Sequence, residues 1–455
     1  MVSSTLMNSV SGMRGIVGKD LTPELVARQA AALAAWCVSI GRPTVCLGRD
    51  SRTSGAMYAR AAAAGIQSAG ATCVDCGLST TPSVQIAVDH HRAGGGIMIT
   101  ASHNPIEWNA IKFMGPDGVF LDHVIGDEVK AIAERGPARG GWDRIGRYVE
   151  DTDAIERHIE QIVALHVIDL SAIRARKFTV AIDTCRGAGG VIIPKLLDRF
   201  GVKWKGIHLQ TDGKFPRPPE PVPESLGELS ALVRETGADL GFALDPDVDR
   251  CAIVDASGRP IGEDYTLALG VHSVLHDWSD RKPPTVVANL STSLVVADAA
   301  AKYGAKFVRA PVGEANVARV MRDRGAYIGG EGNGGVIFPD LHVGRDAPLA
   351  VALVLQLLTV MQQSVSAFVE NAPRYVIVKD KGPRGADLGQ VYAQLRSRFP
   401  DAEVDERDGL HLAWKDRWLH VRPSGTEPII RYIAEGPDAG VASGLIAVAR
   451  EIAGD

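Results

Sequence analysis

Short apolar runs alternate with stretches of helical spacing along the first three quarters of the chain. The apolar runs have no polar face, which is typical of strands that are buried on both faces of a sheet. They cover residues 44–47, 71–76, 97–99, 179–183, 240–244, 285–288, 307–310 and 327–328. Helical spacing lies between them, at residues 25–40, 54–68, 153–166, 191–200, 226–235, 294–303 and 315–324. This order predicts mostly parallel sheets that are covered by helices.

The alternation restarts near Asp153 and again near residue 255, which gives three successive α/β units of roughly 100 residues without visible sequence identity. Beyond Pro373 the pattern changes to short strands and two helix candidates, which predicts a smaller α+β domain with an antiparallel sheet. A chain of 455 residues is too long for a single core. We therefore predict an α/β protein of four domains, at residues 1–152, 153–254, 255–370 and 371–455.

Composition and charge exclude several classes of protein. The hydrophobic fraction of 45% and the charged fraction of 23% are those of a soluble globular protein. A net charge of −5 provides no basic field for nucleic acid or for an acidic membrane surface. The first twenty residues contain no apolar signal segment, and the apolar helix predicted at residues 347–361 is shorter than the ~20 residues of a membrane span. We expect a cytoplasmic protein without nucleic-acid or membrane partners.

Among the six cysteines, Cys73 and Cys76 alone have the spacing of a redox or metal motif. No second pair completes a zinc site, and both residues fall in a predicted strand. We predict that the cysteines are buried structural thiols of a reduced protein.

The stretch at residues 96–112 presents a serine at the end of a buried strand. The apolar run 97–99 breaks into T-A-S-H-N-P, where Pro105 keeps Asn104 out of the helical conformation and forces a turn. Ser102 therefore lies on a tight loop at a strand end, where α/β proteins commonly carry reactive groups. By itself this pattern favours an ordinary surface turn, so a functional interpretation depends on the other motifs.

Three carboxylates follow the strand at residues 240–244, in the sequence L-D-P-D-V-D-R. Asp245, Asp247 and Asp249 can approach one point if the backbone curls, and hard oxygen ligands of this kind suit Mg²⁺. The alternative is a solvated acidic turn, although three like charges held together repel unless a cation offsets them. Arg250 adds a positive charge that either binds a phosphate or neutralises an aspartate.

Two later turns have the composition of ligand-binding loops. The glycine-rich segment 329–335 lets the backbone approach a ligand closely, and its Glu331 and Asn333 can bond sugar hydroxyls. The segment 421–428 has the composition of a phosphate-binding nest, although a solvated turn would look similar. Its candidate residues are Arg422, Ser424, Gly425 and Thr426, with Arg431 as a further member.

In this order and spacing, the four segments resemble the motifs of the α-D-phosphohexomutase superfamily, which includes phosphoglucomutase, phosphomannomutase and phosphoglucosamine mutase. The family patterns are T-A-S-H-N-P, D-x-D-x-D-R, G-E-x-S-G-H and R-x-S-G-T-E-P, and the resemblance covers the whole chain. It implies four domains around a central cleft, the first three alike in topology with mixed sheets. It also implies an isomerase that is an intramolecular phosphotransferase.

The resemblance assigns roles to individual residues. Ser102 corresponds to the phosphorylated serine, whose phosphate joins Asp245, Asp247 and Asp249 around one Mg²⁺. Glu331 corresponds to the sugar-binding glutamate, and the loop containing Arg422, Ser424, Gly425 and Thr426 to the site for the non-reacting phosphate. Further catalytic residues implied by the motifs are Arg14, His103, Lys112 and Arg250, of which Lys112 is the candidate for transfer of the hydroxyl proton.

The sequence departs from the family pattern at two places. Ala110 stands where glycine is usual, which is a mild change. Asn333 and Gly335 stand where serine and histidine are usual, so a histidine is missing from the sugar loop. We expect His342, a few residues downstream, to replace it.

The implied reaction moves a phosphoryl group between positions 6 and 1 of a hexose phosphate through a hexose 1,6-bisphosphate, which also serves as activator. The G-E-G-N-G-G loop favours phosphoglucosamine mutase, and phosphomannomutase/phosphoglucomutase is the alternative. A non-catalytic sugar-phosphate sensor is a further alternative, which the intact aspartate triplet disfavours. A serine hydrolase is disfavoured because Ser102 lacks a G-x-S-x-G elbow. We expect a monomer or a homodimer.

Overall fold

The computed structural model describes residues 6–9, 11–279, 282–383, 385, 387–424 and 429–454. These residues form four sheets that follow one another along the chain. We refer to the part of the chain around each sheet as the first, second, third and fourth unit.

The first unit contains a seven-stranded sheet. Its strands are β1 (Met7–Ser9), β2 (Gly12–Ile16), β3 (Thr44–Arg49), β4 (Thr72–Leu78), β5 (Gly95–Ile99), β6 (Trp108–Met114) and β7 (Tyr148–Glu150), in the order β1-β2-β6-β5-β3-β4-β7. Its helices are α1 (Pro23–Ser39), α2 (Gly55–Ser68), α3 (Thr81–His90) and α4 (His123–Arg135). Strand β5 lies between β3 and β6, and all five of its residues are buried. This position explains why its sequence has no polar face.

The helices of this unit begin where the sequence provides capping groups. The Thr22 hydroxyl accepts a hydrogen bond from Leu25 N at the start of α1, and the Thr80 hydroxyl accepts one from Ser83 N at the start of α3. A cap of this kind contributes about 1 kcal/mol to a helix. The second cap also fixes Thr81, which contacts the acidic loop of the second unit.

The second unit has a four-stranded sheet. Its strands are β8 (Thr179–Asp183), β9 (Lys203–Ile207), β10 (Leu240–Leu244) and β11 (Cys251–Asp255), in the order β11-β10-β8-β9. Its helices are α5 (Ala154–Val163), α6 (Leu170–Arg176), α7 (Gly189–Arg199) and α8 (Gly227–Thr236). Leu244 of β10 pairs with Cys251 of antiparallel β11. The predicted metal loop is therefore the turn of a hairpin.

The third unit repeats this arrangement. Its strands are β12 (Thr285–Asn289), β13 (Lys306–Ala310), β14 (Ile328–Glu331) and β15 (Gly335–Ile337), in the order β13-β12-β14-β15. Its helices are α9 (Asp264–Leu275), α10 (Leu294–Lys302), α11 (Glu314–Arg324), α12 (Ala347–Met361) and α13 (Val365–Asn371). Glu331 of β14 pairs with Gly335 of β15, so the predicted sugar loop is again a hairpin turn.

One four-stranded pattern recurs in all three sheets. A central strand (β3, β8 or β12) pairs in parallel with a strand on each side. One of these two neighbours (β5, β10 or β14) also pairs with a fourth, antiparallel strand (β6, β11 or β15). In each unit the loop that the sequence predicts to be functional connects this neighbour to the antiparallel strand: β5 to β6, β10 to β11 and β14 to β15. The predicted likeness of three mixed-sheet units is confirmed, whereas the hydrophobic pattern did not predict the returning strands β6, β11 and β15.

The fourth unit is smaller and its sheet is antiparallel throughout. Its strands are β16 (Val376–Pro383), β17 (Glu403–Asp405), β18 (Leu410–Ala413), β19 (Trp418–Pro423) and β20 (Ile429–Gly436), in the order β16-β20-β19-β18-β17. Two helices, α14 (Leu388–Arg398) and α15 (Ala439–Ala453), accompany it. The predicted α+β domain is confirmed, with β20 as an additional strand.

The units are joined in different ways. One buried apolar cluster runs through the second and third units and includes much of α12, whereas the first and fourth units have clusters of their own. The third and fourth units meet through polar contacts: Glu435 of β20 accepts hydrogen bonds from the Ser293 hydroxyl and from Leu294 N. The fourth unit is therefore docked by directional bonds rather than by a shared apolar core.

The six cysteines all lie within the described ranges, and all are free and buried, as predicted. Over the same ranges, no single helix combines the length and apolar character needed to cross a membrane. The pair α12 and α13, bent by 81°, satisfies that test by length and composition alone.

Candidate active site

Ser102 occupies a strained position in the loop that follows β5. Its φ angle is +46°, in the left-handed region, which costs a non-glycine residue about 1–3 kcal/mol. The Thr100 hydroxyl accepts a hydrogen bond from Ser102 N at 2.9 Å, and the Ser102 side chain is buried. Its hydroxyl donates to Asp245 Oδ2 at 2.9 Å and lies 3.3 Å from His103 Nδ1. The strained conformation thus directs the hydroxyl at the metal loop of the second unit.

Arg52, which the sequence analysis did not identify, holds this loop in shape. Its guanidinium is buried and pairs with Asp50 at 3.2 Å. It donates to four carbonyl oxygens of the loop within 2.6–2.8 Å, those of Ser102, Asn104, Pro105 and Trp108. The aspartate and arginine follow β3 in the sequence D-S-R, and charged residues directly after a buried strand were the signal available. Arg52 therefore supports the strained serine through the backbone.

The three aspartates of the metal loop converge, as predicted. All three are buried, and their ligand atoms lie within 4.8 Å of one another. Asp247 Oδ2 accepts from the Thr81 hydroxyl at 2.8 Å and from Lys112 Nζ at 3.0 Å, and Asp249 Oδ2 pairs with Arg345. Within the described part of the chain, Oδ1 of Asp247 and Oδ1 of Asp249 have no hydrogen-bond partner.

Unpartnered buried carboxylate oxygens fit a hard divalent cation. Mg²⁺ binds through a few carboxylates together with phosphate oxygens, which matches this donor set. Burial, together with the charges of Asp249 and Asp247, raises the pKa of Asp245 well above its usual range. Burial also acts against ionisation of Asp247, but the Lys112 charge and the Thr81 hydrogen bond hold its pKa below the usual range. A bound cation would offset the repulsion within the triplet.

Positive charges act on His103, whose Nδ1 lies beside the Ser102 hydroxyl. Arg14 donates to the Asn104 side chain, and Arg250 pairs with Glu220 at 3.0 Å and lies 3.7 Å from Asp249. The Arg250 charge, with burial and the Arg14 charge, holds the pKa of His103 well below its usual range. His103 is therefore neutral at pH 7, and the arginines supply the positive field that a phosphoryl group on this loop requires.

The predicted sugar-loop residues are placed differently from one another. Glu331 is buried, and its Oε1 accepts from Asn289 Nδ2 and from Gly313 N, both at 2.8 Å. Burial opposes its ionisation, but the nearby Arg345 charge keeps the pKa of Glu331 below its usual range. Asn333 lies in the hairpin turn, where its Oδ1 accepts from Gly335 N at 3.3 Å.

The structure does not bring the His342 side chain to Glu331 and Asn333. Its Nε2 lies 2.9 Å from Asp346 Oδ2, which is also 2.7 Å from His158 Nε2. The Ser83 hydroxyl lies 2.9 Å from the other ring nitrogen of His158, so the network joins the first three units. The His342 ring lines a separate cavity of about 220 Å³. The geometry therefore does not support the predicted role of His342 at the sugar.

The predicted phosphate loop lies in the fourth unit. Arg422 contacts Asp408 Oδ1 through Nε and Nη2, both at 3.1 Å, and Ser424 N donates to Ile429 O at 2.9 Å. Arg431 pairs with Arg422 in the register of β19 and β20, and it lines a cavity of about 400 Å³ together with Lys379 and Lys381. Gly425 and Thr426 lie outside the described residues. Arg422, paired with Asp408, and Arg431 on β20 are therefore the predicted phosphate-binding arginines that the structure describes here.

A cavity of about 540 Å³ lies between the first and third units. Its lining includes Arg14, Lys112 and Phe120 of the first unit, and Glu314 and Arg345 of the third. Its size is that of a pocket for a small molecule. Glu314 and Arg345 were not identified from the sequence, because only the fold brings them to the metal and sugar loops.

The sequence matches all four models of one family, in chain order. The models of the phosphoglucomutase/phosphomannomutase alpha/beta/alpha domains I, II and III match residues 7–139, 156–258 and 262–375, and the C-terminal domain model matches residues 375–451. The four models thus cover the chain almost from end to end.

Individual proteins give the same result. The chain is 37% identical over 436 residues to a phosphoglucomutase/phosphomannomutase of Thermococcus kodakarensis, with 93% of each chain covered. It is 35% identical over 429 residues to a probable phosphoglucosamine mutase of Methanopyrus kandleri, covering 93% of this chain and 92% of the relative. The crystal structure of a phosphoglucomutase/phosphomannomutase family protein of Burkholderia thailandensis is similar with a TM-score of 0.86 at 25% identity, covering 100% of this chain and 98% of the other. The chain belongs to the phosphoglucomutase/phosphomannomutase family, within the α-D-phosphohexomutases, and it is an isomerase.

Proposed function

We propose that this phosphohexomutase interconverts glucosamine 6-phosphate and glucosamine 1-phosphate through a phosphorylated Ser102. The observation that carries the proposal is the 2.9 Å contact between the Ser102 hydroxyl and Asp245, within a group of carboxylates that fits a cation. Asp245, Asp247 and Asp249, with the phosphate on Ser102, would hold one Mg²⁺. When bound, that ion neutralises negative charge on the phosphoryl oxygens.

In the first half-reaction, the phosphorus–oxygen bond to Ser102 breaks and a sugar hydroxyl oxygen forms the new bond to phosphorus. Its proton passes to a base, for which Lys112 in its uncharged form is our candidate, and from that base to the serine oxygen, which leaves with the bonding electrons. Because charge spreads over the phosphoryl oxygens in a loose transition state, positioning and positive charge carry most of the catalysis. Arg14 and Arg250 supply that charge, and neutral His103 packs beside the serine oxygen.

The product of this step is a hexose 1,6-bisphosphate, which reorients and returns its other phosphate to Ser102. The same compound primes an unphosphorylated enzyme and so acts as activator. Glu331 and Asn333 would contact sugar hydroxyls. The non-reacting phosphate would bind Arg422, Ser424 and Arg431, together with Gly425 and Thr426.

The identity of the sugar is supported by the glucosamine-type name of the Methanopyrus relative and by the G-E-G-N-G-G loop. A second candidate, phosphomannomutase/phosphoglucomutase activity, is favoured by the name of the Thermococcus relative. The cytoplasmic location and the monomeric or dimeric state remain predictions.

The test is ³¹P NMR of the purified protein with Mg²⁺ and a trace of hexose 1,6-bisphosphate. Glucosamine 6-phosphate, glucose 1-phosphate and mannose 1-phosphate are supplied separately, with Ser102→Ala as the inactive control and the exposed Ser171→Ala as the matched one. We expect conversion of the glucosamine phosphate at least tenfold faster in kcat/KM, about 1.4 kcal/mol. Faster conversion of another sugar would assign that substrate instead. No conversion of any sugar, or full activity of Ser102→Ala, would overturn the proposal.

A further inference from the structure

Arg345 connects the metal loop to the sugar loop. Its Nη1 lies 2.7 Å from Glu331 Oε2, its Nη2 pairs with Asp249 Oδ2, and its Nε lies 3.2 Å from Glu314 Oε2. The side chain is only 8% exposed, so water weakens these ion pairs little. One arginine thus neutralises carboxylates from three separate segments of the chain.

The stem of Arg345 occupies the space next to Gly335. A Cβ on Gly335 would lie 2.2 Å from Arg345 Cδ and 2.8 Å from its Cγ. The stem has little freedom to move, because three carboxylates hold its guanidinium. Position 335 is where the family pattern has histidine, so a histidine there and the arginine stem compete for the same space.

Arg345 contacts Asp249 in the same way that Lys112 contacts Asp247. Each cation binds Oδ2 of its aspartate, and in both carboxylates Oδ1 has no hydrogen-bond partner among the described residues. Lys112 and Arg345 therefore each hold one oxygen of an aspartate, and the other oxygen of each carboxylate stays available for a metal ion.

We propose that Arg345 is a positioning residue for phosphoryl transfer, which fixes Asp249 and Glu331 in one geometry and takes the place of a histidine at position 335. The proposal rests on the proposed function for the roles of those two carboxylates. Without Arg345, three buried carboxylates share no cation, and their repulsion moves them apart or draws in protons. The metal loop and the sugar loop then lose the side chain that contacts both of them.

The first experiment compares Arg345→Gln and Arg345→Lys with wild type. Mn²⁺ binding is followed by electron paramagnetic resonance, which needs no turnover, and kcat and KM are measured separately. Arg157→Gln is the control, because Arg157 also pairs with a buried carboxylate, that of Asp151, which belongs to neither the metal loop nor the sugar loop. We expect Arg345→Gln to weaken Mn²⁺ binding at least fivefold and lower kcat at least 100-fold. Arg345→Lys should recover part of both losses, since a lysine can still neutralise one carboxylate.

Two results would contradict a positioning role. One is Mn²⁺ binding by Arg345→Gln that is unchanged or tighter. The other is a kcat loss no larger than that of Arg157→Gln at an equal fall in Tm. Because the Mn²⁺ titration needs no substrate, it tests Arg345 even if wild type converts none of the sugars, so failure of the proposed function is recognised separately.

A double-mutant cycle tests whether a side chain at position 335 and the Arg345 stem compete for the same space. Gly335→Ala in the native background should lower kcat/KM and Mn²⁺ affinity, kcat/KM at least tenfold, because the new methyl group displaces the arginine stem. In an Arg345→Ala background the same change should cost less than threefold, since the stem is gone. Equal costs in the two backgrounds would show that the residues act independently and would overturn this part of the proposal.

Discussion

The Ser102 hydroxyl lies 2.9 Å from Asp245 Oδ2, although 143 residues separate the two along the chain. Ser102 lies in the loop after strand β5 of the first unit, and Asp245 directly follows strand β10 of the second. Each follows the corresponding strand of the same four-stranded pattern, so the repeat places Ser102 and the aspartate loop at equivalent positions of their units. The contact depends on how the units are held and on how the serine loop is shaped.

We expect Arg52→Met to lower both stability and turnover. The substitution removes donors from four loop carbonyls, and a buried polar group left unsatisfied costs about 1–3 kcal/mol. Ser102 should then relax from its left-handed conformation, with kcat falling at least 50-fold. Thermal unfolding and kcat are measured beside the exposed Arg60→Gln. A lower Tm with wild-type kcat would show that Arg52 does not shape the reacting serine.

We expect Mg²⁺ to raise the Tm of wild type, because it offsets repulsion among three buried aspartates. Binding to the folded state alone stabilises by about 2.7 kcal/mol at a concentration 100-fold above Kd. Asp247→Asn should lose most of this shift and most activity, whereas the exposed Asp277→Asn should retain both. A chelator should abolish turnover of wild type, and Mg²⁺ should restore it. An equal Mg²⁺ shift in Asp247→Asn would place the cation elsewhere.

Asp264, close to the joint between the third and fourth units, should make stability depend on pH. Desolvation raises the pKa of Asp264 to about 7 against the hydrogen bond from Ser293 N, and the charges of Glu435 and Glu263 add to the rise while Lys379 opposes it. The pKa of an aspartate in an unfolded chain is about 3.9. Between these values the folded state holds a proton that the unfolded state lacks. The stability from this group is therefore complete below pH 4 and is lost as the pH rises through 7.

Asp264→Asn removes that titration and keeps an oxygen that can accept from Ser293 N. Its Tm relative to wild type should therefore increase from pH 5 to pH 8.5, by roughly 2–4 °C for each kcal/mol. The exposed Asp127→Asn is the control and should show no such trend. A difference between Asp264→Asn and wild type that stays constant with pH would contradict the raised pKa.

His342→Ala should affect stability more than catalysis. The substitution removes one of the two histidines that bond Asp346, at a joint of three units. Burial alone would raise the pKa of Asp346, and His158 and His342 together hold it below the usual range. We expect a lower Tm with kcat and KM within threefold of wild type. A large rise in the sugar KM at unchanged Tm would instead support the sugar contact predicted from the sequence.

The residues that could be predicted from the sequence are those whose motif is local. Ser102 and the three aspartates each follow an apolar strand, and strand ends of an α/β sheet gather at one edge. Arg52 also follows an apolar strand, but the sequence does not show its role or that of Arg345, because Ser102 and Asp249, which they contact, lie 50 and 96 residues away and are brought near only by folding. Strand β20 alternates buried Ile430, Tyr432 and Ala434, a strand pattern hidden by the turn residues before it.

The position of His342 has a similar explanation. His342 is close in sequence to the sugar loop, but the chain passes through β15 and an irregular segment before reaching it. Its ring is turned to Asp346, whereas Arg345, three residues further on, reaches Glu331. Proximity along the chain therefore indicated the segment, but not which of its side chains contacts Glu331.

The division of the site among three hairpin turns also has a consequence for the newly made chain. Ser102 is synthesised well before the aspartates at 245–249, and those well before Glu331 and Arg345. A nascent or truncated first unit therefore carries Ser102, Arg14 and Lys112 without the aspartates at 245–249 and without Arg345. If the proposed function holds, an incomplete chain should be inactive until the third unit is folded against the first two and the fourth unit adds its phosphate loop.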